Sequence, residues 1–473
     1  MKKTRIIATY GPSIASAKKV GQLVEAGVNL FRINCSHGVT ADFLKAARII
    51  REGSKKSRYP VGLIMDIGGP KLRLGRFKGE IAVKPGQTIN LGRRRSDPAK
   101  RTFEINYPEV LKAIQPKQRV FIDDGNIAFD VITASQGRVT LKARNSGQLS
   151  SGKGINLPDS KINLPTITAK DKDDIKTAVR LDADFIALSF VRSSDDIEQG
   201  RRLIKRWSGS QRLIAKLEKP EAIKRLDSIM RHSDGVLIAR GDLGVEFAPE
   251  ELPRLQKQII AEANQHHIPV IVATQVLESM RFHPRATRAE INDVATAVYD
   301  FADGVMLSAE TAVGQYPLEA VQTMRRVIET TEAHLQPPAN PVTPTTEAEI
   351  APSIADAVSR CQELCDAQLI LAFTTSGFTV TLISKLFPAQ PIIAITSEPR
   401  LQRQLSLCRS VYAVESDQPQ SFDEMVACAS QLCRRLKLAR RGDKLIITGG
   451  VPFGSAHKTN MMMVHELKGG TQA

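Results

Sequence analysis

Leu213-Ile-Ala-Lys216-Leu-Glu218-Lys219-Pro220, followed a short helix later by Ala239-Arg240-Gly241-Asp242-Leu243-Gly244, brings two carboxylates and an ammonium into one neighbourhood. On an extended strand Lys216 and Glu218 are two residues apart and face the same side. Asp242 stands just past the next apolar run, Val236-Leu-Ile-Ala239. Two carboxylates at neighbouring strand ends suit a hard divalent cation that keeps positions open for substrate oxygens. A lysine between them calls for an anion, so the chemistry is that of a metal and a phosphate together. A surface salt bridge is the ordinary reading of any single Lys/Glu pair, and three such groups at two strand ends reverse that preference.

Those groups need a frame that aims strand ends at one point. Apolar runs of strand length recur at Arg5–Tyr10, Asn29–Asn34, Gly62–Asp66, Asp184–Phe190, Arg212–Glu218, Gly235–Arg240, Pro269–Thr274 and Gly304–Ala309. Most are followed by a segment of helical periodicity, such as Pro249 to His266. Eight such units with near-continuous apolar strands predict an α/β fold, a parallel (β/α)8 TIM barrel. Its carboxyl-terminal rim would then carry Pro12, Arg32, Asn34, Ser36, His37, Asp66, Ser189, Lys216, Glu218, Asp242, Thr274, Ser308 and Glu310.

The alternation breaks between strands three and four, where short β-type runs with glycine punctuation predict an inserted small β-barrel lid domain over residues 70–166. It divides the barrel into 1–69 and 167–335. A domain attached at the active rim can close over it and exclude water. The stretch 336–349, Gln-Pro-Pro-Ala-Asn-Pro-Val-Thr-Pro and onward, reads as a linker. Beyond it, 350–473 predict a C-terminal α/β regulatory domain with strands near 367–374, 391–396 and 444–448. Its first strand runs into Thr374-Thr375-Ser376-Gly377-Phe378-Thr379. Such a hydroxyl-rich turn at a helix amino terminus is either a phosphate site or simply a capped turn.

Composition bounds the rest. The 473 residues are 42% apolar, enough for several cores, and no run approaches membrane-span length. Six cysteines without metal-site spacing point to a reducing, cytoplasmic setting. The net charge of +16 raises a nucleic-acid reading. With 6 Tyr, 1 Trp and no recognised motif, nucleic acid is disfavoured as a partner.

With the rim assembled, the chain resembles the pyruvate kinase family over essentially its full length. The resemblance is carried in order by Phe31-Arg-Ile-Asn-Cys-Ser-His-Gly38, Asp66-Ile-Gly-Gly-Pro-Lys-Leu-Arg73, Ile214-Ala-Lys-Leu-Glu218, Ala239-Arg-Gly-Asp-Leu-Gly-Val-Glu246, Ala273-Thr-Gln-Val-Leu-Glu-Ser-Met280 and Met306-Leu-Ser-Ala-Glu-Thr-Ala312. It implies phosphoryl transfer from phosphoenolpyruvate to ADP, the last step of glycolysis, by a homotetramer. Glu218 and Asp242 would hold Mg2+ or Mn2+. Arg32 and Lys216 would meet the phosphoryl group, and Gly241, Asp242 and Thr274 the substrate carboxylate. Pro12, Asn34, His37 and Arg73 fall at nucleotide positions. Thr274, Ser308 and Glu310 would organise a proton relay to the enolate, with direct donation by Lys216 as the alternative.

Asn34, Ser36, Asp66 and Ile67 resemble monovalent-cation ligands. Potassium-dependent members carry a glutamate where this chain has Lys71, so the expectation is that Lys71 replaces K+. Two departures stand out. Phe190-Val-Arg-Ser193 lacks a lysine that often holds the nucleotide, and Phe378 stands where a basic residue is common. Thr374, Thr375, Ser376, Gly377 and Thr379 still match an effector loop for a sugar phosphate or nucleotide. The competing readings are a Mg2+-dependent aldolase or lyase of the phosphoenolpyruvate/pyruvate barrel type, and a basic RNA-binding scaffold that has lost activity.

Overall fold

The computed structural model describes residues 1–36, 38–135, 137–160, 162, 164–336, 350–452 and 459–468. His37 and most of the Pro-rich 336–349 stretch lie outside the described residues. Eight parallel strands close into a barrel: Arg5–Thr9, Leu30–Asn34, Gly62–Ile67, Phe185–Leu188, Arg212–Leu217, Gly235–Ala239, Val270–Ala273 and Gly304–Leu307. Each pairs with its sequence neighbour, and the first closes on the eighth through Arg5↔Gly304 to Ala8↔Leu307. The apolar runs are continuous because both faces are buried. Outward residues such as Ile6, Leu63 and Val236 meet the helices, while Ile7, Ile64, Phe185, Ile214, Leu237 and Ile271 fill the barrel. Each fully buried aliphatic side chain contributes about 1.5–3 kcal/mol, so the paired layers hold the rim rigidly.

The start of the barrel is built by polar residues standing just before the even-numbered strands. Asn29, Asp184, Asp234 and Asp303 each accept, through a side-chain oxygen, the first free N–H of the preceding odd strand, from Ile6, Leu63, Leu213 and Val270 respectively. Parallel strands leave such N–H groups orphaned at a barrel end, and a short acceptor one strand over satisfies them. Helices begin on comparable local chemistry. Thr168 with Asp171, and Thr287 with Glu290, form reciprocal capping boxes ahead of Ala169–Arg180 and Arg288–Tyr299.

Between strands three and four lies a six-stranded sheet in the order Ile155–Asn156, Arg119–Ile122, Ile127–Ser135, Arg138–Ala143, Thr88–Gly92, Thr102–Glu104. It curls around an apolar core of its own that includes Leu74, Ile89, Phe103, Val120, Phe129 and Leu141. The turn Asp123-Asp124-Gly125 brings this sheet to the barrel, with Gly125 facing Val245.

The C-terminal part is a five-stranded sheet ordered Val411–Glu415, Ile392–Thr396, Leu369–Phe373, Lys444–Gly449, Met461–Glu466, the last antiparallel. The strands Val411–Glu415 and Met461–Glu466, and the helix Pro399–Leu405, were not among the sequence expectations. It docks on the amino-terminal end of the barrel. Leu407 is fully buried in the barrel-interior cluster, and a Cβ on Gly62 would meet the Ser406 hydroxyl. No helix among the described residues is long and apolar enough to cross a membrane.

Candidate active site

The carboxyl-terminal rim gathers charge around Asp66. Its Oδ2 accepts from Arg32 Nε at 2.6 Å, and its Oδ1 lies 3.1 Å from Lys216 Nζ. The two cations come from strands two and five and meet on one carboxylate from strand three. Burial alone would push the Asp66 carboxyl up, but Arg32 and Lys216 together hold it below the ordinary range. Arg32 also reaches the Thr9 hydroxyl at 3.2 Å.

Lys216 sits 2.9 Å from Glu218 Oε1 and donates to Ser189 Oγ at 2.6 Å. Its burial opposes the charge. Asp66 and Glu218 outweigh burial and raise the ammonium well above its usual value, so the charge is locked in place. Glu218 is fully buried and its other oxygen accepts the Phe190 N–H at 2.8 Å. Burial raises this carboxyl, Lys216 lowers it and Asp242 raises it again, so the two acids repel each other across the site. Asp242, in the first turn of helix Arg240–Glu246, is partly exposed. Lys71 Nζ lies 3.4 Å from its Oδ1 and 3.1 Å from Asp124 of the inserted sheet. Lys71 therefore bridges inserted sheet and barrel, and Asp242 and Asp124 outweigh burial to raise its ammonium.

Gly241 N–H donates to Thr274 Oγ1 at 2.7 Å, and a Cβ on Gly241 would stand only 3.3 Å from that oxygen. Thr274 and Gln275 have φ of 68° and 53°. A β-branched residue in the left-handed region is strained and persists only where its surroundings over-determine it. Arg240 supplies that restraint. Its guanidinium donates to Thr274 O at 2.9 Å and Gln275 O at 2.8 Å, and is held by Asp293 at 2.6 Å. Ser189 stands on the rim as expected from sequence, whereas the sequence assigned no role there to Arg240 and Asp124. An arginine inside a motif gives no hint that its target is the backbone at the end of the adjacent strand.

On the turn after strand eight, Glu310 accepts Ser308 N–H at 2.7 Å and Leu277 N–H at 3.1 Å, and burial raises its carboxyl. Ser308 Oγ is buried without a hydrogen-bond partner among the described residues. Pro12 opens the turn Pro12–Ile14 beside helix Ala309–Ala312. Asn34 Oδ1 accepts Ser36 N–H at 3.0 Å, and Ile67 is buried at the end of strand three. Arg73 is spent within the inserted sheet, donating to Gly152 O at 2.9 Å.

The other predicted cluster is remote. In the turn after Leu369–Phe373, Thr374 Oγ1 accepts Gly377 N–H at 2.8 Å, Thr375 is exposed, and Thr379 meets Thr459 at 2.6 Å. Ser376 O accepts from Arg212 at 2.9 Å, and Arg212 is the first residue of the strand that carries Lys216.

Two carboxylates at adjacent strand ends, mutually repelling and countered only by lysines, fit a divalent cation. Among the described residues no group of three or more His, Cys, Asp or Glu is placed to hold a metal ion. Residues 1–321 match the family model described as pyruvate kinase, barrel domain, and residues 352–465 that of the pyruvate kinase alpha/beta domain. A pyruvate kinase of Methylorubrum extorquens is 38% identical over 470 residues, covering 98% of this chain and 97% of that protein. One from Geobacillus stearothermophilus is 37% identical over 98% of this chain and 80% of its own. The crystal structure of a pyruvate kinase from Cryptosporidium parvum superposes with TM-score 0.92 at 34% identity, covering 98% and 96% of the two chains. With its barrel, inserted sheet and C-terminal α/β part all matched, the chain belongs to the pyruvate kinase family.

Proposed function

We propose that the chain transfers the phosphoryl group of phosphoenolpyruvate to ADP, giving ATP and pyruvate, as the last step of glycolysis. The observation that carries this reading is the Arg32–Asp66–Lys216–Glu218 chain of charges at the end of three barrel strands. The P–O bond to the enol oxygen breaks as one to a β-phosphate oxygen of ADP forms, leaving an enolate that takes a proton at carbon. Arg32 and Lys216 oppose the charge on the phosphoryl oxygens, and Lys216 then opposes that on the enolate. A divalent cation, Mg2+ or Mn2+, would be held by Glu218 and Asp242 and would supply positive charge to phosphoryl and carboxylate oxygens.

Gly241, Asp242 and Thr274 face the substrate carboxylate in this reading, with Thr274 held ready by Arg240. Gly241 N–H would exchange the threonine hydroxyl for the ligand. Ser308, left without a partner, passes the proton with Thr274 and Glu310, Glu310 acting by fixing the turn. Pro12, Asn34, His37 and Arg73 border the nucleotide, and closure of the inserted sheet carries Arg73 to it. The Arg212 bond to Ser376 supports coupling between the effector loop of Thr374, Thr375, Ser376, Gly377 and Thr379, open to a sugar phosphate or nucleotide, and the catalytic strand. We place the enzyme in the cytoplasm, as a homotetramer; its free cysteines favour that compartment.

The test is pyruvate formation from phosphoenolpyruvate with and without ADP. ADP-dependent turnover that tracks Mg2+ is expected, and ADP-independent release of pyruvate or an aldol product would replace this reading with a lyase. A second reading concerns K+. Lys71, between Asp124 and Asp242, supplies beside the phosphoryl group the positive charge that a monovalent ion held by Asn34, Ser36, Asp66 and Ile67 would otherwise bring. Turnover is expected without added K+, and Lys71→Glu to acquire K+ dependence. Strong activation of the wild type by KCl at constant ionic strength refutes it.

A further inference from the structure

The net charge of +16 is unevenly placed. Residues 70–166, about a fifth of the chain, hold 18 Lys and Arg against 8 Asp and Glu, a surplus of +10. The substrates do not explain all of it, because a group of these cations gathers at the end of the inserted sheet away from the barrel. Gly125, at the turn joining Ile122 to Ile127, faces the barrel. The opposite end of the sheet is marked by the pairs Leu91↔Val139 and Ser135↔Arg138.

Arg93, Arg94 and Arg95 leave the sheet at that far end and are exposed. Arg93 Nε would stand 3.1 Å from a Cβ on Gly137, so Arg93 and Arg138 flank one another. Arg138 reaches Thr102 Oγ1 at 3.4 Å, across Thr88–Gly92 to the edge strand. The loop then returns along that edge with Lys100 and Arg101. Against these six cations the same stretch sets Asp97, which pairs with the largely exposed Lys100 at 3.6 Å, and Glu104. Like charges so arranged repel one another, and a polyanion relieves the repulsion.

Five of the six are arginines, whose planar fork matches phosphate oxygens bidentately. The band follows one sheet edge, which suits a linear chain. No aromatic side chain sits in it to stack a base, since Phe103 is buried. The scarcity of aromatics that disfavoured nucleic acid therefore bears on base recognition and not on backbone contact. A second copy of the chain is a poor occupant, because its remaining residues are also net positive.

We propose that this band binds the phosphate backbone of single-stranded RNA, independently of base sequence and without obstructing the catalytic rim. The probe is a fluorescein-labelled 20-nucleotide oligouridylate, titrated with the full chain by anisotropy from 50 to 200 mM KCl. With five or six phosphate contacts, log K should fall with log salt at a slope of about −3.5 to −4.2. The variant R93Q/R94Q/R95Q should lower that slope by about 2 units and weaken binding at least about tenfold at 100 mM salt. Its ADP-dependent turnover should stay unchanged, and saturating ADP should not displace the RNA from the wild type. Four results would overturn the proposal: no binding at 50 mM salt, undiminished binding by the triple variant, displacement by ADP, or equal affinity for polyglutamate or anionic phospholipid vesicles.

Discussion

Two buried lysines stand at opposite ends of the same barrel. Lys216, at the carboxyl-terminal rim, has Asp66 at 3.1 Å, Glu218 at 2.9 Å and Ser189 at 2.6 Å. Lys385, on the C-terminal domain, meets Asp303 at the amino-terminal end and Asn264 at 2.8 Å. Their partners are alike and their settings differ. Lys216 lies among three acids, one of them partly exposed, so its neighbourhood keeps anionic charge and access to solvent. Lys385 and Asp303 are 1% exposed, each satisfied by the other, by Asn264 and by the Val270 and Arg409 N–H groups. One arrangement is open to exchange its partners for ligands; the other is closed and fixes a domain.

Removing each lysine's partnership should give opposite phenotypes. Lys216→Ala should cut kcat by a factor of at least ~10²–10³, since a preorganised charge of this kind typically contributes several kcal/mol to barrier lowering. The melting temperature should move little, because Arg32 still holds Asp66 and Glu218 can take up a proton. Steady-state kinetics alongside calorimetry checks this, and near-normal turnover would remove Lys216 from the site. Asp303→Asn should do the reverse. It leaves a buried ammonium uncompensated and should cost about 3–5 kcal/mol of stability. Turnover per folded molecule should change less than about twofold, and urea unfolding followed through the single Trp, Trp207, reads the loss.

The two ends were unequally legible in the sequence. The carboxyl-terminal rim could be read because strand parity places Lys216 with Glu218, and because polar residues interrupt apolar runs there. At the opposite end Asp184 and Asp303 look like ordinary residues preceding a strand. Their partners Arg403 and Lys385 are more than eighty residues away, and no local period links them. The strand Val411–Glu415 was missed because it follows the Pro399–Leu405 helix after only a short turn that carries the buried Leu407 and Cys408, so no clear polar break marks its start. Met461–Glu466 was missed because three methionines on a half-exposed edge lack the β-branched signature of a strand. Arg240 and the left-handed Thr274 depend on close approach of two strand ends, which spacing along one chain does not encode.

The smallest effect isolates the closed end by pH. His267, beside Lys385, is half-buried with Nδ1 unpartnered among the described residues. Burial, with the positive charge of Lys385 and then of His266, lowers its pKa to about 4. Folded His267 thus stays neutral between pH 6.5 and about 4, whereas an unfolded imidazole takes up a proton below about 6.5. The unfolded state binds more protons in that window, so this residue makes stability rise with pH there and fall on acidification. Asparagine tolerates the positive φ of 55° at this position without titrating. His267→Asn should therefore flatten the melting temperature against pH between 6.5 and 4, and leave its shape above pH 7 unchanged. The slope difference cannot exceed one proton. Parallel curves for the two proteins across the window would mean that His267 is protonated in the fold and that the closed end accommodates a second cation.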